Sequence, residues 1–136
     1  MDRYIYPALF GTCEEGGYTI TFPDLPGCIT EGDNLTEALT MAKEALELHL
    51  YGMEEDNDDI PSPTPPERIE VEKGYFVVPI EAYMPLIREE MENKAIKKTL
   101  TIPRWLNRLA EEKKVNFSAV LQLALKEKLG IKEKRS

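Results

Sequence analysis

Lys97-Lys98-Thr99-Leu100-Thr101-Ile102-Pro103 opens the stretch that decides the fold, which runs on through Arg104 to Lys114, Val115-Asn116-Phe117-Ser118 and a second helical pattern ending at Gly130. Strand side chains alternate between faces, so Leu100 and Ile102 fall on one side of a predicted strand and Lys97, Thr99 and Thr101 on the other. Pro103 cannot donate to a sheet and is pre-set for the first turn of a helix, so the strand should stop there. Trp105, Leu106, Leu109 and Ala110 then make an apolar stripe over about three turns. Asn116 or Ser118 can cap a second helix carrying Val120, Leu121, Ala124 and Leu125, which Leu129 and Gly130 close. The predicted unit is strand, helix, capped turn, helix.

A unit of about 35 residues cannot hide those apolar faces alone, and a single short strand leaves its backbone unpaired, so the unit should form by intertwining with a second copy. The order of elements, with L-x-I-P ending the strand and N-x-S starting the second helix, resembles the ribbon-helix-helix family of DNA-binding dimers. That resemblance implies a two-stranded antiparallel ribbon in the major groove of double-stranded operator DNA, with Lys97, Thr99 and Thr101 reading bases. It also implies a phosphate clamp at the amides of Asn116, Phe117 and Ser118, supported by Lys98, Lys113 and Lys114. The competing reading makes Thr99 and Thr101 the solvated face of an edge strand and the helices a mere dimerisation hairpin. Charge argues for DNA: Lys94 to Ser136 holds twelve Lys or Arg against four acids, a net of +8, as phosphate binding requires.

The whole 136-residue chain carries −8, so residues 1 to 93 carry −16, from five basic and twenty-one acidic side chains. Opposite signs in the two parts point to two modules with different partners, one facing nucleic acid and one facing something basic. No apolar run approaches the ~20 residues of a membrane span. The start Met1-Asp2-Arg3-Tyr4 has no signal-peptide pattern, so a cytoplasmic location is expected. Cys13 and Cys28 are the only cysteines; without CxxC spacing or clustered histidines they make no zinc site, and free buried thiols are expected.

Arg3 to Thr12 alternates Tyr4, Tyr6, Ala8 and Phe10 with Ile5, Pro7 and Leu9, so both faces are apolar: a strand covered by a helix on one side and by a partner chain on the other. Glu14-Glu15-Gly16-Gly17 turns the chain into a second strand, Tyr18 to Phe22. After the corner Pro23-Asp24-Leu25-Pro26-Gly27, a third strand is expected from Cys28 to Glu31. Asp33 or Asn34 should then cap a helix burying Leu35, Ala38, Leu39, Ala42, Ala45, Leu46, His49 and Leu50, with Gly52 as its stop. His49 reads as a structural histidine. Met53 to Pro66 reads as an acidic, proline-rich loop. A fourth strand is expected at Ile69 to Val71 or Tyr75 to Ile80, and a helix from Glu81 to Asn93 leads into the tail.

Tyr6-Pro7-Ala8, the run Gly17-Tyr18-Thr19-Ile20-Thr21-Phe22-Pro23-Asp24-Leu25-Pro26-Gly27-Cys28, then Thr30-Glu31-Gly32-Asp33 and the helix from Glu37-Ala38-Leu39 to Glu44-Ala45-Leu46 resemble the HicB antitoxin family. The resemblance implies an α+β protein with a partial ribonuclease H-like βββαβ domain at 1–80, a helical linker at 81–96 and the ribbon-helix-helix at 97–131. It implies an antitoxin that neutralises a small basic HicA-type toxin, an mRNA-cleaving enzyme, and represses the operon encoding both. A ribonuclease H-like label raises nuclease chemistry, and two-metal hydrolysis needs carboxylates converging on metals ~4 Å apart. Asp24, Glu31 and Asp33 are candidates, yet Asp24 lies in a proline-flanked corner and Asp33 looks like a cap. No catalytic residue, metal or cofactor is therefore assigned, and these three acids are expected to face the toxin. The assembly is expected to be a homodimer through the tail, and a tetramer if the N-terminal domains also associate. The alternative is an orphan ribbon-helix-helix repressor whose N-terminal domain binds a ligand or only oligomerises.

Overall fold

The computed structural model describes residues 1–132; Glu133, Lys134 and Arg135, which enter the charge count above, lie outside them. The chain forms two compact units, Met1–Ala95 and Ile96–Ser136.

The first unit is a mixed α+β fold on an antiparallel sheet. Its strands are β1 (Arg3–Thr12), β2 (Tyr18–Thr21), β3 (Ile29–Gly32) and β4 (Tyr75–Tyr83), in the order β3-β2-β1-β4. β1 and β4 pair over nine positions, from Arg3 opposite Tyr83 to Gly11 opposite Tyr75. Helix α1 (Leu35–Glu55) covers one face, and α2 (Met84–Asn93) follows β4 directly. The core between sheet and helix is Tyr6, Ala8, Phe10, Ile20, Phe22, Leu25 and Cys28 with Ala38, Ala42, Leu46, Leu50, Ile80, Ala82 and Met84. The even-numbered positions of β1 thus supply one face, as strand alternation requires.

Local chemistry sets the boundaries. Of the two cap candidates Asn34 prevails: its Oδ1 accepts the amide of Glu37 at 2.8 Å, while the Glu37 carboxylate reaches back to the amide of Asp33 at 3.2 Å. The first bond satisfies one of the donors that a helix start leaves free, and the second ties the residue before the cap to the first turn. Gly52 does not stop α1, which continues to Glu55 and ends with Asn57 at φ 55°. Of the expected buried face, Leu35 and Leu39 are exposed and His49 is half-buried. The third strand is shifted one residue, to Ile29–Gly32, and Cys28 just before it turns its thiol inward to the carbonyl of Ala45. Ile69–Val71 is not a strand; the chain makes a 3-10 turn at Pro66–Arg68 instead. β4 extends past Ile80 to Tyr83, so α2 starts at Met84 rather than Glu81. The expectation of two buried thiols holds for Cys28 alone, since Cys13 is exposed.

The long connection after α1 is pinned. Asp24 accepts both the amide (2.9 Å) and the hydroxyl (2.5 Å) of Thr64, and the Tyr6 hydroxyl donates to the carbonyl of Pro61. Arg88 of α2 grips both carboxylate oxygens of Glu54 at 3.0 and 2.5 Å, and also Asp2 at 2.9 Å. Paired and bidentate geometry of this kind is the stronger form of ion pairing.

The second unit holds α3 (Arg104–Glu112) and α4 (Phe117–Leu129). Residues 94–103 have no regular structure in the single chain, and Pro103 stands at the helix cap rather than inside the first turn. A strand at this place would need a partner for its backbone.

Candidate partner-binding surfaces

In the second unit no residue of α3 or α4 is buried. Leu100, Ile102, Leu106, Ala110, Val115, Phe117, Val120, Leu121 and Ala124 instead line an open groove of about 590 Å³. Lys98, Asn107 and Ser118 share that lining; Lys97, Thr99 and Thr101 do not, and all three are exposed. The alternation of the segment therefore separates an apolar side with Leu100 and Ile102 from a polar side with the three proposed base readers. Contiguous apolar exposure of this kind characterises interaction surfaces and ligand grooves.

The turn between the helices is built by hydrogen bonds. Val115 donates to the carbonyl of Ala110 at 3.0 Å and Lys114 to that of Glu111 at 3.0 Å, with Lys114 at φ 54°. This is the paired-bond helix ending that favours a left-handed residue. Asn116 then caps α4, its Oδ1 accepting the amide of Ala119 at 3.0 Å. The amides of Phe117 and Ser118 have no acceptor among the described residues. They lie at a helix N-terminus, where backbone donors and the helix dipole favour an anion. Lys113 and Lys114 are exposed beside them.

In the first unit the proposed acids separate. Glu31 and Asp33 are exposed, one on edge strand β3 and one just before α1. Asp24 is half-buried with both oxygens engaged by Thr64, so it holds the loop in place and is the least available of the three. Among the described residues, no group of three His, Cys, Asp or Glu side chains is placed to hold a metal ion. Sequence reading missed a groove of about 720 Å³ where Asp24, His49, Asp56, Asp58 and Asp59 meet the apolar Leu25, Leu48 and Met53. Its signal in the sequence is the acidic run Glu54-Glu55-Asp56-Asn57-Asp58-Asp59 at the end of α1. No helix among the described residues is long and apolar enough to cross a membrane.

The chain thus carries an acidic α+β unit and a basic helical unit whose two helices leave an apolar face uncovered. The model of the HicB-like antitoxins of bacterial toxin-antitoxin systems matches residues 6–123. The chain belongs to this HicB-like antitoxin family.

Relatives agree. A 14.9 kDa protein from the rep-hol intergenic region of Haemophilus phage HP1 is 34% identical over 104 residues, covering 75% of each chain. Antitoxin HicB 1 of Photorhabdus laumondii is 36% identical over 108 residues, which span 79% of this chain and 64% of the relative. Among solved structures, a toxin-antitoxin complex from Streptococcus pneumoniae superposes with a TM-score of 0.61 at 26% identity, covering 93% of this chain and 99% of that one. The Burkholderia pseudomallei antitoxin HicB shares the fold, with a TM-score of 0.52 at 20% identity, covering 93% and 96% of the two chains.

Proposed function

We propose that this chain is an antitoxin that binds a HicA-type, mRNA-cleaving toxin and represses its own operon as a ribbon-helix-helix dimer. The observation that carries this reading is the span of the family match, which runs from β1 to the middle of α4 and so includes residues of both units. We read 1–80 as the toxin-neutralising domain, a partial ribonuclease H-like βββαβ unit, 81–96 as the linker and 97–131 as the DNA-binding domain.

In the tail, two copies of the 97–102 segment pair antiparallel and give each other the backbone partners that the single chain lacks. Leu100 and Ile102 then close over the groove between α3 and α4, while Lys97, Thr99 and Thr101 face the bases and the amides of Phe117 and Ser118 hold a phosphate. Support comes from the separation of these two sets of side chains about the groove. In the first unit, Glu31, Asp33 and the acids around the 720 Å³ groove attract a basic toxin. No residue is assigned a catalytic role.

Co-expression with the neighbouring toxin gene tests the first half: growth should be rescued by this chain, and continued arrest would refute the antitoxin reading. Gel shifts test the second. Thr99→Ala should narrow the gap between operator and scrambled DNA by ~1 to 3 kcal/mol, whereas Lys113→Ala should weaken both alike. Equal operator affinity for Thr99→Ala and the parent would remove the ribbon from the groove.

A further inference from the structure

Helix α1 carries a glycine that its own folding does not require. Gly52 lies inside the helix with no positive φ, and a Cβ built on it would meet nothing within 4 Å. A side chain there would fit and would stabilise the helix, because glycine is the weaker choice in a helix interior. The open space beside Gly52 is the groove of about 720 Å³. Glycine at such a place lets a visiting group come directly against the backbone.

The groove has walls of two kinds. Leu25, Leu48, Met53 and Pro61 make an apolar part, and Asp56, Asp58 and Asp59 stand exposed around it. Among the described residues these three carboxylates enter no ion pair, and no Lys or Arg lines the groove. Glu47 and Glu54 of the same helix, outside the lining, are instead paired with Lys43 and Arg88. The walls are also fixed in advance. Tyr6 holds the carbonyl of Pro61, Asp24 holds Thr64, Ile60 packs against the core, and the Asp58 amide donates to the carbonyl of Met53 at 2.9 Å. A site ordered beforehand loses less entropy on binding.

We infer that this groove receives one arginine or lysine side chain of the toxin, its methylene stem over Gly52 and along Leu48 and Met53, its cationic head among Asp56, Asp58 and Asp59. The inference rests on the antitoxin reading and gives it a subsite. Long basic side chains lay their stems on apolar surface and keep the head in a polar setting, so an apolar floor with an anionic rim matches both ends of one residue. The acidic unit of a second copy, with a net −16 over residues 1 to 93, is repelled from the same rim. An uncharged ligand gains nothing from the three carboxylates.

Calorimetric titration of the full chain with the purified product of the neighbouring toxin gene, together with thermal melts, tests the subsite. Gly52→Leu should raise the melting temperature by about 4 to 8 °C and yet weaken toxin binding about tenfold or more. Damage to the fold cannot imitate a gain in stability joined to a loss of binding. Asp58→Asn together with Asp59→Asn should weaken binding about tenfold and flatten its dependence on salt. Glu70→Gln together with Glu72→Gln removes the same charge from exposed positions outside the groove and should leave the affinity within about twofold. If the two pairs weaken binding alike, overall charge and not the groove draws the toxin, and the inference falls. Equal affinity for Gly52→Leu and the parent also overturns it, with the antitoxin reading left standing. A parent chain that binds no toxin overturns both.

Discussion

Lys114 holds a left-handed backbone conformation, φ 54°, at the position after α3 where glycine is the usual occupant. A residue with a Cβ pays ~1 kcal/mol for that conformation. Lys114→Gly should therefore raise tail stability by about 1 kcal/mol while lowering affinity for operator and scrambled DNA alike, readable in one thermal melt and one gel shift. A stabilised variant with unchanged DNA affinity would show that Lys114 is no phosphate contact. Burial acts on two other residues. It pushes the Cys28 thiol from an ordinary 9.0 up to about 11. Burial, and secondarily the charges of Tyr4 and Asp24, push the Tyr6 hydroxyl from 10.0 up to about 12. Both native values are raised, so the folded state holds these protons more tightly than the unfolded chain does. Stability from this source is complete below pH 9 and is lost as pH rises through 11 and 12. Melting temperatures should be flat from pH 7 to 8.5 and fall above pH 9, and Cys28→Ala should blunt the first part of that fall.

At the scale of elements, Gly32 fixes how closely β3 approaches α1. A Cβ there would come within 2.6 Å of the backbone of Ala38. Gly32→Ala must push strand and helix apart, and a loss of ~1 to 3 kcal/mol is expected in chemical denaturation, in the range of overpacked cores. The motif containing Gly32 was legible in the sequence; the reason for its glycine was not, since it depends on a contact between elements. The extent of β1 and the cap of α1 could be read from alternation and from an Asn followed by Glu three residues on. The ends of α1 and β4 could not. Gly52 is carried inside the helix, at a propensity loss of ~1 kcal/mol, because Leu50 and Met53 on either side pack on the core. β4 runs on through Glu81 and Tyr83 because Arg3, far away in sequence, pairs with the first and sits 4.8 Å over the ring of the second. Glu47 of α1 also accepts the Tyr83 amide at 3.0 Å. The candidate DNA residues were placed by alternation alone, whereas the acidic groove needed α1, the β2–β3 corner and the loop brought together.

At the scale of the whole molecule, residues 1 to 93 carry −16 and residues 94 to 136 carry +8. Both proposed partnerships then respond to ionic strength in the same direction, each through its own unit. Stopped-flow association with the toxin should slow as salt rises, and rates flat across ionic strength would remove electrostatic steering from the account. DNA affinity should fall linearly on a log-log salt plot, with a shallower slope for Lys113→Ala. The absence of any buried residue in α3 and α4 bears on how much of this protein a cell must keep in stock. Helices of nine and thirteen residues are marginal by themselves in water, so on dilution the tail should unwind and become the first place a protease cuts, while the sheet unit survives. Scarcity would then shorten the life of the very chain that is scarce, and limited proteolysis across a concentration series would reveal it.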